Sequence, residues 1–138
     1  MFSLKFVKMR NTLGTQERLK SKKLIEKLYS EGDSVKTFPL RMMYVQTAHT
    51  SEFPCQVGVS VAKRNYKLAV DRNRLKRLMR ETYRLQKEIV YNNLDVPYVF
   101  MISYIGREEI KYEDLYLKME KLLKLFVDKV KIKADENI

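Results

Sequence analysis

An α+β fold, with helices laid against a small mixed sheet as a two-layer α/β sandwich, is what this 138-residue sequence predicts. Three observations carry it. Apolar residues recur at helical and at strand spacing in the order helix, strand, strand, helix, strand, helix. From Cys55 to Ala62 every odd position is apolar and every even one is small or polar, the pattern of a strand with one buried face. A long amphipathic helix separates that strand from the next, as a parallel crossover requires. The length suits one domain. Hydrophobic residues at 45% exclude a wholly disordered chain, and no apolar run approaches the roughly 18 residues of a membrane span.

Taken in order, residues 1–15 read as a flexible N-terminal segment. Lys5, Lys8 and Arg10 interrupt its apolar residues before a secretion signal can form, so a cytoplasmic protein is expected. A single domain is expected over 16–130. Within it Leu24, Ile25, Leu28 and Tyr29 fall at helical spacing, predicting a helix over about 22–30 with Ser21 as N-cap and Gly32 just past its end. Lys22, Lys23 and Lys27 face outward. Strands are expected at about 38–47, 55–62 and 97–105. The strongest helix covers about 71–91, and the last runs over about 112–130 with Leu115, Met119, Leu122 and Phe126 on one stripe. Residues 131–138 read as a flexible C-terminal tail.

The chain's own catalytic chemistry is sparse. Cys55, the single cysteine, excludes an intrachain disulfide and alternates with the core valines as a small buried hydrophobe. His49 is the single histidine, read as an exposed turn residue. Glu108, Glu109, Glu113 and Asp114 precede or open the last helix, where carboxylates complement the dipole. Tyr83, Tyr91 and Tyr98 are read as packing residues. No paired histidines or carboxylate cluster suited to an autonomous nuclease stands out.

The charge is more informative. Lys and Arg number 28 against 17 Asp and Glu, a net +11 with pI near 9.7, which favours nucleic acid first and anionic lipid second. Ten basic residues and two acids lie between Lys63 and Lys87, a local balance of 10 − 2 = +8. Winding the helix at about 100° per residue gathers Arg72, Asn73, Lys76, Arg77, Arg80 and Arg84 within about 140° and turns Leu75, Leu78, Met79 and Thr82 to the far side. Like charges at i,i+4, and cations near the positive end of the helix dipole, oppose folding. An anionic ligand relieves both. The bare even positions of the strand, Gly58 and Ser60, belong either to an ordinary solvent-facing strand or to one that a ligand approaches closely.

The run Val57-Gly58-Val59-Ser60-Val61-Ala62-Lys63-Arg64, followed by Ala69-Val70-Asp71-Arg72-Asn73-Arg74-Leu75-Lys76-Arg77-Leu78-Met79-Arg80-Glu81, resembles the protein component of bacterial ribonuclease P. Arg18-Leu19-Lys20-Ser21, Tyr29, Gly32-Asp33-Ser34-Val35, Tyr44 and Tyr112-Glu113-Asp114-Leu115 extend the resemblance over about 16–127. It implies a left-handed strand-helix-strand crossover, against the usual hand. It also implies a protein subunit that binds a catalytic RNA and the 5′ leader of precursor tRNA, promoting endonucleolytic maturation while the RNA performs the hydrolysis. Mg²⁺ is then held mainly by the RNA, with none bound tightly by the protein alone. Position by position, the resemblance implies an RNA face of Lys63, Arg64, Lys67, Arg72, Asn73, Arg74, Lys76, Arg77, Arg80 and Arg84. The implied leader cleft is Ile25, Tyr29, Ser34, Tyr44, Gly58 and Ser60. The expected partners are the catalytic RNA subunit and precursor tRNA, with no membrane and no small-molecule substrate. The alternative is a ribosomal or other structured-RNA-binding protein without a processing role.

Overall fold

The computed structural model describes residues 13–14, 17–49 and 53–136, with side chains as far as 131. The elements are α1 (Lys22–Glu31), β1 (Asp33–Thr37), β2 (Leu40–Gln46), β3 (Cys55–Val61), α2 (Ala69–Arg84), α3 (Glu88–Tyr91), β4 (Tyr98–Tyr104) and α4 (Tyr112–Glu136). The sheet runs β1-β2-β4-β3, with β1/β2 and β2/β4 antiparallel and β3/β4 parallel. A parallel pair cannot be joined by a tight turn, and α2 and α3 make the crossover.

The pleat sorts side chains onto two faces. On one, Met42, Tyr44, Phe100, Ile102, Val57 and Val61 meet α2 and α4 in the main core. Phe126 of α4 sits at its centre, its ring centroid 4.9 Å from Tyr44, 5.5 Å from Tyr98 and 5.6 Å from Phe100. On the other face Val99 and Met101 pack against Leu19 and Leu28, with Ile25, Met43 and Val45 at the margin. The two main layers are therefore the sheet and the α2–α4 group, and α1 covers part of the opposite face. Ser21 caps α1 as expected, its Oγ accepting from the Leu24 N–H at 3.4 Å, while the Gly32 N–H closes the far end on the Leu28 carbonyl.

Four expected boundaries are corrected. The strand expected at 38–47 is the second arm of a hairpin that turns at Phe38-Pro39, and β1 is its first arm. β1 buries only Val35 and Thr37 and stands at the sheet edge, so its apolar signal is weak. The helix expected over 71–91 begins at Ala69 and breaks after Arg84. There the buried Gln86 amide donates to the Thr82 and Tyr116 carbonyls, and Lys87, counted above with the basic run, turns inward to Glu17. The last helix continues to Glu136, past the expected tail boundary at 130. His49 is half-buried rather than exposed, and burial pushes its imidazole pKa down. Residues 1–12 and 15 of the expected N-terminal segment, and 137–138, lie outside the described residues. Leu13, within that segment, packs on the core, and the Gly14 N–H donates to Glu17 at 3.1 Å.

Tyr83, Tyr91, Tyr98 and Cys55 are buried, as their spacing indicated. Two outcomes follow from this core. Phe126→Ala should lower the unfolding free energy by about 3–5 kcal/mol in urea titrations, the cost of an aromatic-sized cavity, and a loss under about 1 kcal/mol would contradict the packing described. Burial pushes the Cys55 thiol up to about 12, so iodoacetamide at pH 8 should leave the folded chain unlabelled and alkylate it in urea. Comparable rates in both would show the thiol to be accessible.

Candidate nucleic-acid interface

Burial decides which side of α2 can meet a ligand. Leu75, Met79, Thr82 and Tyr83 are buried and Leu78 is half-buried, leaving Asn73, Arg74 and Arg77 exposed and Arg72, Lys76, Arg80 and Arg84 half-exposed. The exposed Lys63, Arg64 and Lys67 lie on the turn before the helix. Nine cationic side chains of α2 and its preceding turn thus share a surface with Leu68 and Val70, which are 66% and 75% exposed.

The stripe is not uniformly free. Arg72 donates from Nη1 to the Tyr66 and Lys67 carbonyls at 2.8 Å each, tying down a turn whose N-cap, Leu68, offers no side-chain acceptor. Arg74 bridges to Asp71 at 3.5 Å and to Glu109 of the loop before α4. Arg84 grips Glu81 through two hydrogen bonds, at 2.5 and 3.0 Å, and so holds that carboxyl below the usual range. Three members of the expected RNA face thus have partners within the protein. Among the described residues, Lys63, Arg64, Lys67, Lys76, Arg77 and Arg80 have no carboxylate partner. Exposed pairs such as Arg74–Glu109 contribute less than about 1 kcal/mol, so a phosphate competes with them readily.

A groove adjoins this helix. The partner registers form two cross-strand rows on the face that α1 only partly covers: Ser34, Met43, Met101 and Gly58, then Lys36, Arg41, Ser103 and Ser60. Three expected cleft residues, Ser34, Gly58 and Ser60, therefore share one surface, where the Ser60 and Ser103 hydroxyls meet at 2.7 Å. On α1, Tyr29 is 54% exposed, whereas Ile25, one turn earlier, is half-buried against the second core. Tyr44 is not part of the groove. It lies one residue out of phase with Met43, so the pleat turns it to the opposite face, where it is 8% exposed against Tyr98 and Phe126.

At the β3 end the floor opens into a cleft of about 220 Å³ that Arg18, Lys20 and Arg80 border over Gly58 and Met101. Arg18 pairs with Val57 in a parallel bridge, and the Leu19 N–H donates to the Val57 carbonyl at 2.8 Å. Burial, and secondarily the neighbouring Arg18 charge, lower the Arg80 pKa. Three cations bordering one cleft without a carboxylate in its lining suit an anion. Arg18, Lys20, Lys36 and Arg41 were missed as site residues. The strand alternation of Lys36 and Arg41 would have revealed the latter pair had β1 been recognised, but no local pattern marks Arg18. No group of three or more His, Cys, Asp or Glu side chains among the described residues is arranged to hold a metal ion. Nor is any described helix long and apolar enough to cross a membrane.

Comparison with known proteins fits this geometry. The family model described as Ribonuclease P matches residues 13–127. A ribonuclease P protein component from Porphyromonas gingivalis is 36% identical over 89 residues, which span 64% of this chain and 64% of the relative. One from Chlorobium phaeobacteroides is 41% identical over 88 residues, spanning 62% and 60%. The matched segment thus spans less than two thirds of those relatives' length. Among solved structures, the Staphylococcus aureus RNase P protein superposes with a TM-score of 0.64 at 21% identity, covering 79% of this chain and 94% of its own. The Thermotoga maritima RNase P protein superposes at 0.63 with 20% identity, covering 78% and 96%. The four-stranded mixed sheet, the basic helix that crosses between its parallel strands, and a sequence match over most of the chain agree: this chain belongs to the Ribonuclease P family.

Proposed function

We propose that this chain is the protein subunit of a ribonuclease P ribonucleoprotein, which binds the catalytic RNA and the 5′ leader of precursor tRNA and promotes endonucleolytic removal of that leader. The carrying observation is the cationic surface of α2 and its preceding turn, six of whose side chains have no carboxylate partner among the described residues, turned outward by burial of Leu75, Met79 and Tyr83. Lys63, Arg64, Lys76 and Arg77 grip phosphates of the folded RNA, while Arg74 and Arg84 exchange their exposed carboxylates for phosphate on binding. Asn73 supplies an uncharged donor among them.

The groove serves the leader. Arg18 and Arg80 neutralise its backbone, Tyr29 offers a ring on which any base can stack, and the bare floor at Gly58 and Ser60 admits the chain closely. None of these contacts reads a base edge, which suits a leader of variable sequence. Mg²⁺ held by the RNA would supply the hydrolytic chemistry at the scissile phosphodiester. The chain's part is affinity and orientation, exercised in the cytoplasm, where precursor tRNA is matured.

Mixing the purified chain with a ribonuclease P RNA and a precursor tRNA at low Mg²⁺ tests the whole reading. Cleavage that needs both components supports it. Cleavage by the protein alone, or co-purification with ribosomal subunits without stimulated processing, would replace it. Lys63→Ala, Lys76→Ala and Arg77→Ala combined should weaken catalytic-RNA affinity at least about tenfold and flatten the slope of log K against log salt by about 2–3 units. An unchanged slope in a folded variant would remove α2 from the interface. Tyr29→Ala should weaken holoenzyme binding of precursor tRNA by about 1 kcal/mol or more, with mature tRNA unaffected. Equal weakening of both would take Tyr29 out of the leader groove.

A further inference from the structure

Arg18 and Arg80 repel each other across the groove, and the strip that carries Arg18 is held against β3 by the Val57 bridge on one side and by a second, buried anchor on the other. Glu17, the neighbouring residue, is 1% exposed, and its carboxylate gathers three donors. Lys87 Nζ donates to Oε2 at 2.7 Å, the Tyr91 hydroxyl donates to the same oxygen, and the Gly14 N–H reaches Oε1 at 3.1 Å. Lys87 is 2% exposed and lies 5.5 Å from the centroid of the Tyr91 ring.

A buried ion pair is a poor stabiliser, because desolvating both charges offsets most of their attraction and a well-packed apolar pair serves equally well. What it adds is direction. Three donors from two separate stretches of chain fix one carboxylate in one orientation, and the backbone that carries it also carries Arg18. Lys87 follows directly on the break after α2, seven residues from Arg80, so the same contact joins both cationic walls of the groove.

We propose that Glu17 is a positioning residue: through Lys87, Tyr91 and the Gly14 amide it clamps the 17–20 strip against β3 and holds Arg18 opposite Arg80 to receive a phosphate of the single-stranded leader. This rests on the leader-groove reading. Breaking the pair on one side would leave a buried charge, so the test replaces both partners. Each variant is assembled with the catalytic RNA, and the affinity for precursor tRNA is divided by that for mature tRNA.

Arg18→Ala should lower this ratio about tenfold, the loss of one charge-assisted phosphate contact. Glu17→Ala with Lys87→Met should lower it comparably, since the anchor is gone. Glu17→Gln with Lys87→Met, whose amide oxygen accepts from the Gly14 N–H while its NH2 donates to the Tyr91 hydroxyl oxygen, should restore it to within about twofold. Catalytic-RNA affinity and circular dichroism should stay unchanged in all three. If Arg18→Ala lowers the ratio and the alanine pair does not, the clamp is overturned and the groove stands. Should Arg18→Ala leave the ratio intact, the Arg18 groove contact falls and the clamp with it. A parallel loss of catalytic-RNA affinity in the alanine pair would mark general damage and overturn positioning. Where the alanine pair fails to fold, Tyr91→Phe takes its place. It removes one hydroxyl and should shift the ratio in the same direction by a smaller factor; no shift overturns the clamp.

Discussion

Burial of Leu75, Met79, Thr82 and Tyr83 fixes the rotation of α2 about its axis, and the electrostatic character of the molecule follows from that single constraint. A helix with apolar residues on one side has one orientation that removes them from water, and each side chain buried is favourable by about 1.5–3 kcal/mol. With that side committed to β3 and α4, Asn73, Arg74, Lys76 and Arg77 have nowhere to go but outward. The cations are presented because the greasy side is hidden, at the cost of mutual repulsion along the exposed side. Packing in the core far outweighs that cost, which is how a fold can carry a surface that is unfavourable until a polyanion arrives.

The sheet applies the same logic at right angles. Tyr44, Phe100 and Val57 commit one face to the Phe126 core, and the two-residue alternation then leaves Ser34, Met43, Met101, Gly58, Arg41 and Ser60 on the other. At Gly58 an added Cβ would lie 2.8 Å from the Met101 methyl, so the glycine lets that side chain lie across the strand and form the floor. Lys36 and Arg41 stand directly opposite each other in the pairing, a placement that like charges disfavour. Together with Arg18 and Arg80 they make a groove whose repulsion, like that of α2, is relieved only by something negative. The two cationic surfaces meet at Arg80, so a folded RNA on the helix and a single strand in the groove would lie side by side on one protein.

What was legible in the amino-acid order was whatever short-range periodicity controls. Helical spacing of Leu24, Ile25 and Leu28, the Ser21 cap, the odd-even alternation of Cys55–Ala62 and the two-sided winding of α2 all appear where they were read, because each is decided by residues within a turn or two. The Arg-Asn-Arg helix and the strand before it also carried the family resemblance. Tertiary structure alone decided the rest. β1 exists as a strand because β2 pairs with it, the long helix stops after Arg84 because Gln86 and Lys87 find partners elsewhere, and Tyr44 leaves the groove because its phase on β2 sends it to Phe126. The Glu17–Lys87 pair joins residues 70 apart, and the Arg18–Val57 bridge spans 39 positions. Such contacts carry no repeating local signal; they arise only when distant segments are folded together and their polar groups, shut away from water, must satisfy one another.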